Sequence, residues 1–295
     1  MKMKWNHDTL EITCAQTTYS DDIFASLHIS KKTRYVYYQG ASVYINHLCI
    51  KQNTEIHKGD TLFLRCLYEE DKEMISPCFD DLSLLYEDEL FLIANKPSNM
   101  LVHSDGVSQE TTLYDLVKGY YLLHNILCPV RAIHRLDKET SGAVIFCKIP
   151  LLQPLLDYML QEKQIERRYC AICSGTLLGK HRQVCSPIGR DRHQSNKMRI
   201  SKTGKEARTD ISIIKRYPTY THVECKLHQG RTHQIRVHLS SINHPILHDT
   251  LYGTEDPHIS RLALHAQEVV LFHPLLQKQL IIHCPIPDDI KSLLK

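Results

Sequence analysis

The segment His134-Arg135-Leu136-Asp137-Lys138-Glu139-Thr140-Ser141-Gly142 runs directly into the apolar stretch Ala143-Val144-Ile145-Phe146-Cys147. That stretch, largely β-branched or aromatic, predicts a strand, and the charged run before it predicts a loop held by the strand. Binding and catalytic groups concentrate on such loops because a rigid scaffold fixes them while solvent still reaches them. An Asp beside an Arg, taken alone, reads as a surface salt bridge. The meaning of Asp137 therefore depends on what accompanies it.

Downstream, Gly230-Arg231-Thr232-His233-Gln234-Ile235-Arg236-Val237-His238-Leu239 continues into His244-Pro245-Ile246-Leu247 and into Asp249 through Tyr252-Gly253. Asn95-Lys96-Pro97 with Val102-His103, Arg168-Tyr169 before Gly175, and Gly204-Lys205-Glu206-Ala207 with Thr209 fall between or before these. Arg261-Leu262-Ala263-Leu264-His265-Ala266 through His273-Pro274 closes the series. In this order, the nonapeptide and its companions resemble the RluA-type RNA pseudouridine synthases from about Leu84 to the C terminus.

The resemblance implies an α+β catalytic fold, a mixed and largely antiparallel central sheet flanked by helices, with a central RNA cleft. It implies isomerisation of specific uridines in structured RNA, 23S ribosomal RNA, transfer RNA or both, by a monomer without cofactor or metal. Asp137 is carried over as the catalytic aspartate, Arg231 as the cation that keeps it ionised, and Tyr169 as the residue that stacks on the base and later handles a proton. His134, Arg135, Leu136, Thr140, His233, Gln234, Arg236 and Lys205 are carried over as substrate contacts. The chemistry suits these residue types. An ionised carboxylate can serve as nucleophile or base toward the sugar, and a nearby cation favours its charged form. A stacked uridine is out of reach, so it must be extruded and held against apolar or aromatic faces.

The chain departs from the family pattern at Asn99, Asn243 and His248, where Gly is common. Asn accepts left-handed backbone, so Asn99 and Asn243 are expected to fit the same turns. His248 is bulkier, and its place beside the implied site bears on RNA fit.

The 295 residues suffice for a catalytic body and a small appendage. Residues 1–70 read as the appendage, 71–82 as a linker and 83–295 as the catalytic domain. Asp21-Asp22-Ile23-Phe24-Ala25-Ser26-Leu27 opens like a capped helix, and a second helix is expected from about Ser30. Val43–Asn46 and Thr61–Cys66 are strand-like, with Lys58-Gly59-Asp60 as the turn before the second. This order resembles a degenerate RNA-binding module of the small-subunit ribosomal-protein type. The acidic run from Glu69 to Asp81, with Ser76-Pro77, has linker composition. In the catalytic region, strands are expected at Leu90–Ala94, Ala143–Cys147 and Ile211–Ile214, and helices near Leu113–Tyr121 and Leu151–Glu162.

The net charge of +3 does not by itself announce a nucleic-acid partner. Its distribution says more: nine basic residues and two acids lie between Lys180 and Arg208, leaving the rest mildly acidic. Such a run can track phosphates. No apolar run has the length of a membrane span, and the polar start lacks a signal-peptide core, so a cytoplasmic protein is expected. Eleven scattered cysteines suit free thiols in a reducing compartment. His233 and His238 are five apart, unlike the four-residue spacing of a helical zinc pair, and Cys170-Ala171-Ile172-Cys173 has no second such pair. No Gly-x-Ser-x-Gly elbow, phosphate-cradling loop or dinucleotide fingerprint supports a serine hydrolase, an NTPase or a nucleotide-dependent oxidoreductase. A non-catalytic RNA-binding protein of the same fold would be expected to lack Asp137 or Arg231. A nucleoside-level lyase would act without RNA.

Overall fold

The computed structural model describes residues 2–67, 81–194 and 196–295. The linker expected at 71–82 lies, apart from Asp81 and Leu82, outside the described residues.

The chain begins with a hairpin, β1 (Lys2–Asn6) and β2 (Thr9–Thr13). Met3, Trp5, Leu10 and Ile12 point inward from it, while polar residues alternate outward. The short β3 (Thr18–Tyr19) leads into α1 (Ser20–Ser26), and Ser30 caps α2 (Lys31–Gln39) by accepting from the Thr33 N–H at 3.2 Å. Then come β4 (Val43–Ile45), β5 (Leu48–Cys49), β6 (Glu55–Ile56) and β7 (Thr61–Arg65). Five of these strands form one sheet in the order β1-β2-β7-β4-β5.

The larger region opens with the hairpin β8 (Leu84–Glu87) and β9 (Phe91–Lys96), followed by α3 (Leu113–Leu123). A capping box starts α3: Thr112 accepts from the Asp115 N–H, and Asp115 accepts from the Thr112 N–H at 2.8 Å. Next are β10 (Arg131–Ala132), β11 (Ser141–Cys147), a single 3-10 turn at Pro150–Leu152, α4 (Gln153–Gln161) and β12 (Ile165–Ser174). β13 (His181–Cys185), the small hairpin β14 (Ile188–Arg190) and β15 (Met198–Ile200), β16 (Arg208–Arg216) and β17 (Tyr220–Leu227) lead to α5 (Gln234–Ser241). β18 (Leu264–His273), β19 (Lys278–His283) and α6 (Asp288–Ser292) complete the chain.

The main sheet has ten strands, in the order β13-β16-β17-β12-β18-β11-β9-β8, with β10 beside β11 and β19 beside β18. All its pairings are antiparallel except β11 with β18. The expected mixed, largely antiparallel sheet is thus present. β11 is buried along its whole length because both of its faces are covered. Ile93 and Ile145 enter an apolar cluster that continues into Leu10 and Leu62 of the first sheet and Phe24 of α1. Their neighbours Leu92, Ala94, Val144 and Phe146 enter a second cluster under α3 and α5. The His28 ring stacks on Tyr158 of α4, with centroids 3.6 Å apart, at the same junction.

The parallel pairing involves only Ser141 with His265 and Gly142 with Ala266. Gly142 has φ +118°, and a Cβ there would stand 2.4 Å from the Ala266 carbonyl oxygen. No side chain fits, and the backbone conformation is one that only Gly adopts freely. Gly142→Ala is expected to cost about 3 kcal/mol or more, from backbone strain and overpacking together, as measured by urea unfolding. A loss below about 1 kcal/mol would show that the seam relaxes.

Candidate active site

The loop between β10 and β11 carries Asp137 and is tied down from several directions. The Thr140 N–H donates to the Asp137 carbonyl at 3.1 Å, closing a tight turn. The fully buried ammonium of Lys96, at the end of β9, donates to the carbonyls of Pro97 (2.9 Å), Met100 (2.6 Å) and Lys138 (3.0 Å). Burial brings Lys96 down to about 7, against the pull of Asp137 and Glu139. Ser98 Oγ donates to the Glu139 carbonyl at 2.6 Å. Behind the loop, Ser141 Oγ meets His265 Nδ1 at 2.9 Å and accepts from Arg261 Nη1 at 3.2 Å.

A second loop, ending at Gly230-Arg231-Thr232-His233, enters α5 through His233 in left-handed backbone, φ 55°. Gln234 holds this entry: its Oε1 accepts from the Arg231 N–H at 3.1 Å, and its Nε2 donates to the Arg208 carbonyl at 2.9 Å. In the first turn of the helix, Arg236 forms a two-pronged pair with Asp249, Nε to Oδ2 at 2.9 Å and Nη2 to Oδ1 at 2.8 Å. Its Nη1 reaches Glu139 Oε2 at 3.3 Å and stands 3.9 Å from Asp137 Oδ2.

Tyr252 completes this cluster. Its Oη accepts from the Met198 N–H at 2.8 Å and lies 2.8 Å from His233 Nδ1, so its hydroxyl proton is free to point at the imidazole. Burial holds His233 below the ordinary imidazole range, although Asp137 pulls the other way. Asp137 itself is raised above the ordinary carboxylate range, first by burial, with His233 and Arg236 opposing the shift and Glu139 adding to it. Its side chain remains 21% exposed.

Tyr169 enters from β12, where it pairs with Cys225 of β17 on one side and Ala266 of β18 on the other, beside a bulge. It is buried, and burial raises its phenol. Asp137, Tyr169, Arg231 and Arg236 line a narrow cleft of about 70 Å³. Two larger hollows adjoin it. One, of about 350 Å³, opens toward His103, Asn196 and Leu251, and the other, of about 390 Å³, toward His134, Asp157 and Arg167.

The expected site residues line the cleft or its adjoining hollows, apart from Lys205, whose backbone pairs with Ile188 of β14. Arg231 lines the cleft but turns its Nε onto the Glu206 carbonyl at 3.0 Å, and among the described residues it makes no ion pair with Asp137. The neighbouring cation is Arg236, because α5 carries it one turn past His233 onto the side facing Asp137. Of the expected substrate contacts, Arg135 and Lys205 are exposed and His233 is partly so. His134, Leu136, Thr140, Gln234 and Arg236 are buried. His134 is kept neutral, pushed down to about 3 by burial and by Arg167. Asn99, Asn243 and His248 all lie in left-handed backbone, at φ 62°, 64° and 55°. His248 Nδ1 accepts from the Asp256 N–H at 3.2 Å, which turns its ring away into the following loop. Sequence reasoning did not single out Lys96, Glu139, Arg167 or Tyr252 for roles of their own.

Asp249 is as buried as Arg236, and it also accepts from the backbone N–H groups of Leu251 and Tyr252 at 3.1 Å each. Asp249→Asn removes the main counter-charge of a buried guanidinium and is expected to destabilise the protein by about 3 kcal/mol in denaturant titration. A change below about 1 kcal/mol would mean that Glu139 and Asp137 suffice to hold Arg236.

The family model described as RNA pseudouridylate synthase matches residues 90–241. The uncharacterized RNA pseudouridine synthase YhcT of Bacillus subtilis (strain 168) is 38% identical over 251 residues, covering 84% of this chain and 83% of that protein. The ribosomal large subunit pseudouridine synthase D of Xylella fastidiosa is 30% identical over 292 residues, covering 92% and 86%. Among solved structures, human RNA pseudouridylate synthase domain containing 4 superposes with a TM-score of 0.59 over 72% of this chain and 91% of its own, at 24% identity, which bears on the fold. With 38% identity to one such enzyme along most of its length and the family model spanning the Asp137 loop and α5, the chain belongs to the RluA-type RNA pseudouridine synthases.

Proposed function

We propose that Asp137 is the catalytic carboxylate and that the substrate is a specific uridine of large-subunit ribosomal RNA, with transfer RNA as the other candidate class. The observation that carries the assignment is Asp137 itself: a carboxylate with one open side, at the floor of a cleft, 3.9 Å from a guanidinium locked by Asp249. The name of one relative, ribosomal large subunit pseudouridine synthase D, supports the ribosomal target.

Isomerisation breaks the bond from the sugar to N1 of the base, turns the base and rejoins the sugar at C5. The C5 proton is released and N1 is protonated, so no oxidant or group donor enters the balance. Asp137 acts on the sugar or the base as nucleophile or as base, and every one of these roles needs it ionised. Arg236 supplies the positive field that offsets its burial. Tyr169 offers an aromatic face to the extruded base, and Leu136 and Leu264 line the same cleft.

Part of the basic run lies beside this opening. The β14–β15 hairpin lies beside α5, Lys197 Nζ stands 5.3 Å above the Tyr252 ring, and Asn196 borders the hollow next to Asp137. Its cations are suited to backbone phosphates. Residues 1–70 are proposed as a further RNA-binding unit beside a catalytic domain of 83–295, with Lys31 and Lys32 exposed at the start of α2.

Carbodiimide-dependent reverse-transcription mapping of total RNA, from cells with the wild-type protein and with Asp137→Asn, tests the central claim. Discrete stops are expected to vanish in the variant and return with the wild-type gene, while the purified variant keeps its RNA affinity. An active Asp137→Asn enzyme would sink the assignment.

The pH dependence has a definite sign. Burial raises Asp137, so activity falls on acidification at a higher pH than an ordinary carboxylate would give, and Glu139 raises it further. Glu139→Gln is expected to move the acid limb of kcat/KM to lower pH. An unmoved limb would assign it to another group. For the N-terminal unit, the double change Lys31→Glu with Lys32→Glu is expected to weaken RNA binding several-fold and flatten its salt dependence, leaving single-turnover rates at saturating RNA unchanged. Unchanged affinity would remove that surface from the RNA path.

A further inference from the structure

Two arginines are buried near Asp137, and their surroundings differ. Arg236, 2% exposed, is matched by carboxylates. Arg167, 6% exposed, has no hydrogen-bond or ion-pair partner among the described residues, and its Nε is sealed from solvent. An unpaired buried guanidinium is costly, and native structures retain one where something completes it.

The position of Arg167 indicates what that something is. It belongs to the wall that separates the Asp137 cleft from the 390 Å³ hollow, and it lines both. On β12 it lies two residues before Tyr169, on the same side of the strand. Its guanidinium packs against the backbone of Gly230, where a Cβ would stand 3.2 Å from Nη1. Arg135 and Arg231 line the same two spaces. Among the described residues the one acid in the hollow is Asp157, which accepts from Gln153 Nε2 at 2.9 Å and makes no ion pair with Arg167. His134, also buried there, has neither ring nitrogen partnered. The wall of the hollow therefore holds unpartnered polar groups and a surplus of positive charge.

We propose that Arg167 is a phosphate-binding residue, and that the hollow beside it receives the phosphodiester flanking the target uridine, with Arg231 at its rim and His134 as a neutral donor. This rests on the reading that places the target nucleoside over Asp137. A planar guanidinium matches two phosphate oxygens at once, and the flanking phosphate lies just outside any cleft that holds the nucleoside. The extruded nucleotide is then held at both ends, its base against Tyr169 and its backbone at Arg167. Slippage of the sugar away from Asp137 is thereby opposed.

The test uses the full chain, labelled with ¹⁵N-arginine, in a buffer free of phosphate and sulfate. It is titrated with uridine 3′,5′-bisphosphate and, separately, with uridine. The Nε–H resonance absent from Arg167→Gln identifies Arg167. Its resonance is expected to move with the bisphosphate, which should bind about tenfold more tightly than uridine, one charge-assisted contact's worth. Arg167→Gln should abolish that preference and Arg167→Lys should keep part of it.

A stationary Arg167 resonance, no binding of the bisphosphate, or an equal preference in wild type and Arg167→Gln overturns the proposal. If Arg167→Gln does not fold, Arg167→Lys and the wild-type titration decide, with the Arg167 signal identified by its loss in Arg167→Lys. The readout needs no turnover. Phosphate binding through Arg167 without pseudouridine formation would defeat the catalytic reading alone, and turnover without it would defeat the phosphate site alone.

Discussion

The contact of Gly142 with the backbone of Ala266 is the constraint on which the site depends. It is the point where β11 meets β18 in parallel, in the middle of an otherwise antiparallel sheet. Ala266 also pairs with Tyr169 of β12, so one residue of β18 has the Asp137 loop on one side and the tyrosine on the other. A hydrogen-bonded strand pair fixes its neighbours at about 5 Å. The distance between loop and tyrosine is therefore set by two strand spacings, and a side chain at 142 would push them apart. Lys96, at the end of β9 on the far side of β11, and Ser98 just after it fasten the same loop.

Much of this was legible in the sequence, for identifiable reasons. Gly142 follows a charged run and opens an apolar strand, and Asn99 and Asn243 stand where the backbone turns left-handed. Such features are local, so residue type and order carry them. Ser30 and Thr112 likewise cap helices within three residues of themselves. The polar opening of the chain is a hairpin whose alternation, with Met3 and Trp5 facing inward, is short enough to pass unnoticed. What local pattern does not carry is which side of a helix faces a loop about a hundred residues away. Arg231 and Arg236 lie in one continuous motif, and the left-handed turn at His233 separates the loop that carries the first from the helix that carries the second. The union of the N-terminal core with the underside of the main sheet is long-range in the same sense: Leu10 and Ile145 read as ordinary strand residues of separate regions until they share one cluster.

The charges of the site form a linked set. Arg236 serves Asp249 closely, Glu139 at 3.3 Å and Asp137 at 3.9 Å, so the carboxylate proposed to react has the weakest hold on the cation. That ranking has a chemical use. A carboxylate gripped by two short charge-assisted bonds would be a poor nucleophile and a poor base, because its lone pairs would already be committed. One left in a largely dry cleft with no cation nearby would take up a proton. The graded distances place Asp137 between these limits, with Asp249 bearing the cost of holding the guanidinium still. Arg167 has no such partner among the described residues, and the cost of its burial is met when an anion arrives. The site thus has a completed half that sets the carboxylate and an open half that waits for the backbone of the RNA. Binding energy gained at the open half is available to hold the sugar over Asp137, where it assists the reaction rather than mere association.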